Sequence, residues 1–260
     1  VAAVSQELAR IREALHRGAE ALAPFTPGAI DAVLKEGGDP VTEADLAVNS
    51  VLRRVLPESG DGWLSEETAD GEDRLARSRV WIVDPVDGTR EFIAGIPEWC
   101  ISIGFVEDGH PIAGGIYAPS TDQLILGAIG HGVTLNGEPA GAASTQDIRG
   151  ALVLASRSET SRGEWQRFYT TPISVRSVGS VAYKLGLVAA GLADATWTLV
   201  PKHEWDVAAG AALVLAAGGS VFGVDGEPVR FNQPDPLLSG FIATAPGIET
   251  GVRELLGIRS

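Results

Sequence analysis

The stretch VWIVDPVDGT, residues 80–89, constrains this chain more than any other, because an apolar run ends there in two carboxylates and a hydroxyl. Val80, Trp81, Ile82 and Val83 are β-branched or aromatic and suit a buried strand. Asp84-Pro85 is expected to end that strand, since proline has no amide to give to a ladder. Asp84 then stands at a strand mouth. Asp87-Gly88-Thr89 opens REFIAG, where Asp87 or Thr89 is placed to cap a short helix whose first amides face an anion. Carboxylates for a cation and amides for a phosphate meet within six residues.

The bulk of the chain supports that reading. With 260 residues, 45% of them hydrophobic and 21% charged, it can bury a large core as one domain or as two intimate ones. A formal charge of −14 argues against wrapping a nucleic-acid polymer. Small phosphorylated ligands stay compatible where metal ions invert the local field. The single cysteine, Cys100, excludes an intrachain disulfide and supplies no thiol cluster for structural zinc. With that cysteine usage a reducing cytoplasm is the expected compartment, and no run of about 18 apolar residues suggests a membrane span. VAAVSQELARIREALHRG reads as an amphipathic packing helix rather than a signal peptide.

Val4, Leu8, Ile11 and Leu15 repeat at helical spacing until Pro24 and Pro27 stop the pattern. After a loop containing KEGGDP, Thr42 begins a second helix that ends near Pro57, and both helices are expected to cover one face of a sheet. GWLSEET predicts a short strand opening into a loop of acids. From Cys100 to about Val133, strand-like runs separated by turn residues predict an antiparallel meander. Residues 135–149 are the candidate seam between an α+β half (1–145) and an α/β half (146–260), the latter alternating strands with the apolar helices SVAYKLGLVAAG and WDVAAGAALVLAAGG.

Acids beside turns and strand ends are the candidates for chemistry: Asp45 in DPVTEAD, Glu66-Glu67 in SEET, the Asp84, Asp87 and Thr89 group, and Asp206 in HEWDVAAG. Each alone reads as a helix cap or a solvated acid; together they suit a hard cation such as Mg²⁺, which prefers oxygen ligands and completes its coordination with phosphate. His16, His110, His131 and His203 show no HxxxH or HxH spacing, which gives zinc or iron little support. His203, near Asp206, is a candidate substrate contact or outer partner of a ligand. An aspartyl phosphatase motif, with its acids two apart, does not fit acids three apart around Pro85, and GxxxxGK[ST] is absent.

DPVTEAD, SEET, WIVDPVDGTREF and EWDVAAG, over residues 35 to about 242, resemble the motifs of the inositol monophosphatase-like, lithium-sensitive phosphatase superfamily. REF after DGT, ASRSE, GSVAYKLG and VRFNQPDPLL are similar to its 3'(2'),5'-bisphosphate nucleotidase branch, enzymes of sulfur metabolism. The resemblance implies a layered αβαβα sandwich of the inositol monophosphatase and fructose-1,6-bisphosphatase type. It implies two or three Mg²⁺ ions held by Glu66, Asp84, the Val86 carbonyl, Asp87 and Asp206, with Glu67 helping through water. Asp45, Glu66 and Thr89 would be catalytic, Asp45 accepting a hydrogen bond from the Thr89 hydroxyl that orients an attacking water. Gly88 and Thr89 amides would hold the phosphate.

For the nucleotide branch, Ser156, Arg157, Gly179, Ser180 and Lys184 would surround adenosine or its 5'-phosphate. Read on their own, Arg157 suits a surface position and Lys184 could snorkel from an apolar helix, while Tyr183 and Trp205 read as packing residues. SEE stands where many relatives carry GEE, and VPKHEWD matches neither branch closely. Glu204 lies where inositol phosphatases place a hydroxyl-binding acid, which keeps a sugar phosphate open. The implied activity is in-line hydrolysis of the 3'-phosphate of 3'-phosphoadenosine 5'-phosphate by a metal-activated water. Inositol monophosphate, fructose 1,6-bisphosphate and histidinol phosphate are the other substrates to weigh. An inactive metal- or nucleotide-binding regulator is the non-enzyme alternative, and a monomer or homodimer is expected.

Overall fold

Alternation along the strand expected at residues 80–83 organises the computed structural model, which describes residues 2–35 and 39–258. Val80 and Ile82 face one core while Trp81 and Val83 face another, as a pleat with a period of two requires. This strand (β4, Arg79–Asp87) lies second from one edge of a seven-stranded sheet that also contains β3 (Gly62–Ser65), β5 (Cys100–Glu107), β6 (His110–Ala118), β7 (Gln123–Ala128), β8 (Gly132–Leu135) and β9 (Glu138–Ala140). β3 runs parallel to β4, and from β4 onward every neighbour is antiparallel, so the expected meander is present. It extends past Val133 through a tight turn at Asn136-Gly137, both in the left-handed region, to Ala140.

One expectation fails. Asp84-Pro85 does not end β4: Asp84 pairs with Ser102, the register slips, and pairing resumes at Asp87 with Cys100. A bulge excuses Pro85 from donating to the ladder and re-aims the carboxylates on either side of it.

The two early helices, α1 (Ala2–Leu22) and α2 (Glu43–Val55), pack on the Trp81 face of this sheet through Ile11, Leu15, Val48 and Leu52, all fully buried. A short hairpin, β1 (Ala32–Leu34) with β2 (Pro40–Thr42), leads into α2; residues 36–38 of the KEGGDP loop lie outside the described residues. On the opposite face lie α5 (Val181–Ala189) and α6 (Glu204–Ala216). They are sandwiched against a second sheet of order β11 (Ser174–Val178), β10 (Leu152–Ser156), β12 (Ala195–Thr198), β16 (Phe241–Thr244) and β14 (Ser220–Phe222). The α/β alternation expected here is partial, since β10 is parallel to both neighbours whereas β16 is antiparallel to both of its own. α7 (Glu249–Leu256) and the Trp165–Phe168 turn cover the outer face through Val153, Trp197, Ile242 and Val252. The layers are therefore αβαβα, as expected.

α6 is apolar all round because it touches β4, β5, β6, α5 and β14. Its approach to the first sheet is set by two glycines that pair across β5 and β6, Gly104 and Gly114. A Cβ on Gly104 would fall 2.9 Å from both Ala208 Cβ and Ala209 N, and one on Gly114 would fall on the Ala209 carbonyl. Burying each Val, Ile or Phe between these layers stabilises the fold by roughly 1.5–3 kcal/mol, so the close approach is well supported. No helix among the described residues is long and apolar enough to cross a membrane. Gly114→Ala is expected to lower the unfolding free energy by about 1–3 kcal/mol through overpacking against α6. An unchanged midpoint in urea unfolding would refute this account of the α6 seat.

Candidate active site

The bulge in β4 leaves Asp84 and Asp87 lining a cleft of about 800 Å³, with Val86 buried between them. The Val86 amide donates to Asp84 Oδ1 at 3.0 Å, which fixes the turn around Pro85. Gly88 then caps α3 (Thr89–Ala94) with φ at +97°, and a Cβ there would sit 3.0 Å from the Glu98 carbonyl oxygen and 3.1 Å from Trp99 Cβ. Glycine is needed both for the left-handed backbone and for the close approach. The cap is thus Gly88 rather than Asp87 or Thr89, because those two side chains are engaged elsewhere.

Each goes to a different helix. Thr89 Oγ1 lies 3.0 Å from Asp45 Oδ1 and 3.0 Å from the Val86 carbonyl, and its single proton can serve one of them at a time. Asp45 is held in the first turn of α2, where its Oδ2 accepts from Thr42 N at 2.8 Å and Thr42 Oγ1 at 2.5 Å. Asp87 Oδ2 accepts from Ser180 Oγ at 2.7 Å and from the Ala182 amide, and so sits on the N-terminus of α5. Ser180 carries that load at φ +57°, where its Oγ also accepts from Tyr183 N at 2.9 Å to cap α5. Asp206, in the first turn of α6, accepts from His203 N at 3.0 Å. Three acids from three segments are each secured by a helix N-terminus.

Among the described residues, Asp84, Asp87 and Asp206 each offer an oxygen, all within 4.8 Å of one another. Burial raises Asp84 well above the carboxylate range, and the charges of Glu66, Asp87, Asp206 and Asp45 push it the same way. Burial likewise raises Asp87 despite its hydrogen bonds, and burial with the charges of Asp87 and Glu66 drives Asp206 up to about 8. Glu66 is raised by burial against the opposing pull of Lys35, whose Nζ lies 2.7 Å from Glu66 Oε1 and 2.5 Å from Glu67 Oε1. Burial lifts Glu67 to about 7. An all-oxygen cluster so short of positive charge fits a hard divalent cation. Val86 contributes its carbonyl to the same turn.

The facing wall comes from the C-terminal segment. Ser156 caps α4 (Arg157–Ser161), accepting from Glu159 N at 3.4 Å, and lines the cleft with Arg157, Gly179, Ser180 and Lys184. Arg157 is ion-paired through Nη2 with Glu98 Oε2, which also accepts from Gly179 N at 2.7 Å. Its Nε is buried with no hydrogen-bond partner among the described residues. Lys184 does not snorkel: it is 3% exposed, donates to the Ser180 carbonyl at 2.7 Å, and is pushed down to about 8 by burial. Tyr183 packs and donates to Gln123 Oε1 at 2.5 Å, whereas Trp205 stacks on His203 at 4.3 Å with both rings lining the cleft.

Glu204 departs from expectation. It is fully buried outside the cleft lining, and its two oxygens accept from the Asn232 and Gln233 amides at 2.7 and 2.9 Å. No acceptor capacity faces a sugar hydroxyl. Residues that sequence reasoning missed include Lys35, Glu98, Arg162 and Lys202, all but Glu98 lining the cleft. Lys202 Nζ lies 3.7 Å from Glu159 Oε1, and Glu159 is itself buried and accepts from Trp165 Nε1 at 3.0 Å and Thr198 Oγ1 at 2.5 Å. The one signal for Lys202 in the sequence was the unusual KH before EWD.

The sequence model of the inositol monophosphatase family matches residues 3–255. Inositol-1-monophosphatase ImpA of Mycolicibacterium smegmatis is 32% identical over 246 residues, 90% of this chain and 86% of that protein. The 3'(2'),5'-bisphosphate nucleotidase CysQ of Escherichia coli is 34% identical over 217 residues, 81% of this chain and 87% of that protein. Among solved structures, inositol monophosphatase from Anabaena (Nostoc) sp. PCC 7120 superposes with a TM-score of 0.81 at 28% identity, covering 98% of this chain and 97% of that one. With its layers, its acid cluster and these likenesses in agreement, the chain belongs to the inositol monophosphatase family and is a phosphatase of that family.

Proposed function

We propose that this protein is a Mg²⁺-dependent phosphomonoesterase that removes the 3'-phosphate of 3'-phosphoadenosine 5'-phosphate, with water as the nucleophile. The observation that carries the reading is the mixed charge of the cleft. Asp84, Asp87, Asp206 and Glu66 line it together with Arg157, Arg162, Lys184 and Lys202 of the C-terminal segment. A monoester needs only the first group; a ligand with a second anionic group uses both. Withdrawal of Glu204 from the cleft weighs against a polyol leaving group. Inositol monophosphate is the rival substrate, favoured by the long match to the M. smegmatis inositol-1-monophosphatase.

Glu66, Asp84, the Val86 carbonyl, Asp87 and Asp206 would hold Mg²⁺, which supplies charge neutralisation for the phosphate and lowers the pKa of a water. The chain provides orientation. With its proton directed at Asp45 Oδ1, Thr89 Oγ1 presents a lone pair that accepts a hydrogen bond from the attacking water. Asp45 is held through its other oxygen, so the relay keeps its direction. Gly88 and Thr89 line the cleft beside Asp87, where the scissile phosphate is received. Ser156, Arg157 and Gly179 face the leaving nucleotide, and Lys202 is the cation nearest in sequence to Asp206.

Losing an outer partner of a metal ligand costs roughly 10–100-fold in activity; Asp84→Asn or Asp87→Asn is therefore expected to cost more than about a hundredfold in phosphate release while the fold is retained by circular dichroism. Full activity in either variant would remove the site. A phosphate-release screen over the bisphosphate, inositol monophosphate, fructose 1,6-bisphosphate and histidinol phosphate tests the substrate, and a higher kcat/KM for inositol monophosphate would sink the nucleotide reading.

Lys202→Met is expected to reduce kcat/KM on 3'-phosphoadenosine 5'-phosphate about tenfold or more, the worth of one charge-assisted hydrogen bond, and to change 3'-AMP hydrolysis little. Equal losses on both would show that Lys202 does not read the second phosphate.

Raised carboxylates also predict a pH dependence. Without metal the native protein binds more protons than the unfolded chain, so its stability falls as pH rises from about 4 toward the Asp206 value of about 8. EDTA-treated protein should melt lower at pH 8 than at pH 6, and Mg²⁺ should raise Tm more at pH 8. A flat profile in thermal scans would contradict the uncompensated acid cluster.

A further inference from the structure

Glu204 sits two residues before Asp206 in the first turn of α6, yet its carboxylate is spent on the backbone of the loop after Phe231. The same loop is gripped from the other side by Arg74, which is 2% exposed in a 3-10 turn (Glu72–Ala76) of the N-terminal segment. Arg74 Nη1 donates to Asn232 Oδ1 at 2.8 Å and Nη2 to the Gln233 carbonyl at 2.9 Å, while Asn232 Nδ2 returns a bond to the Arg74 carbonyl at 3.1 Å. The guanidinium also forks onto Asp70, with Nε to Oδ1 at 2.8 Å and Nη2 to Oδ2 at 2.7 Å. Asp70 lies in the loop that begins with Glu66 and Glu67. Asn232 adopts φ +59° to present both its amide and its side chain. Glu204 N closes the circuit by donating to the Pro236 carbonyl at 2.8 Å.

We infer that Arg74, Asn232 and Glu204 are positioning residues, a buried clamp that sets the distance between Glu66 on one segment and Asp206 on the other. Neither Arg74, Asn232 nor Glu204 lines the cleft, so none touches substrate. Glu66 follows β3 and Asp206 lies in the first turn of α6, and 140 residues separate them in sequence. A bidentate guanidinium fork is planar and geometrically restrictive, which suits it to holding a register. A fully buried carboxylate whose oxygens both meet amides has little freedom to shift. The inference rests on the metal-dependent reading above and extends it to residues outside the cleft.

The test is Mg²⁺ binding to EDTA-treated protein by calorimetry, with Mn²⁺ binding by electron paramagnetic resonance in parallel. Glu204→Gln and Arg74→Met should weaken both by about tenfold or more, the range seen when an outer partner of a metal ligand is lost. Arg74→Lys, unable to fork, should recover only part of the binding. Val252→Ala, in the outer layer, provides a comparable core loss, and it should lower Tm yet bind metal as the wild type does. Asn232→Gly tolerates the left-handed backbone and removes both side-chain bonds to Arg74, so it carries the test where Glu204→Gln does not fold. Variants that lower Tm while binding both ions like the wild type would overturn the clamp. Wild-type protein that binds neither ion would overturn the metal-dependent reading, and the clamp with it.

Discussion

Repulsion among buried carboxylates is the constraint on which this structure is built. Asp84, Asp87, Asp206 and Glu66 converge at the end of β4, where burial penalises each charge and every neighbour worsens the next. An unpaired buried charge costs several kcal/mol; Lys35 pairs with Glu66, and helix starts hold Asp87, Asp206 and the neighbouring Asp45. α2 presents its first turn through Asp45, α5 receives Asp87, and α6 carries Asp206, each carboxylate taking amides that would otherwise lack partners. The five layers are the scaffold that lets three helix N-termini meet at one strand end.

The glycine pair under α6 belongs to the same solution. Because Gly104 and Gly114 allow the helix to lie close against the first sheet, its first turn reaches the rim where β4 bulges. A helix made largely of alanine, valine and leucine between two sheets has no polar face to lose, so its placement is decided by fit. Asp206 therefore owes its place to residues far from the cleft as much as to its own cap.

Much of this was legible in the sequence because it is local. VWIV followed by DPVDGT announces a strand, a turn and a cluster of acids, and the helical repeats that stop before Pro24 and near Pro57 announce α1 and α2. Where local rules failed, a tertiary partner had overridden them. Proline ends a strand unless a bulge absorbs it, and the bulge at Asp84–Asp87 exists only because β5 continues alongside. Gly88 took the cap of α3 because Asp87 had a better partner 93 residues away in Ser180. Glu204 is expected in the cleft from the place where inositol phosphatases carry a hydroxyl-binding acid, but it stands two positions from Asp206, about 200° around the helix, which points the side chain elsewhere. Lys35 and Glu98 carry no signature at all, because an isolated charged residue acquires meaning only from what it meets across the fold.

Ser180 shows what such a site asks of its scaffold. A serine at φ +57° occupies backbone space where glycine would rest without strain, yet its hydroxyl donates to Asp87, accepts from Tyr183 and lies 3.5 Å from Cys100. The conformational discomfort is thus permanent, present before any ligand arrives. In return Asp87 has no search to make: its direction is already chosen, in an arrangement assembled during folding.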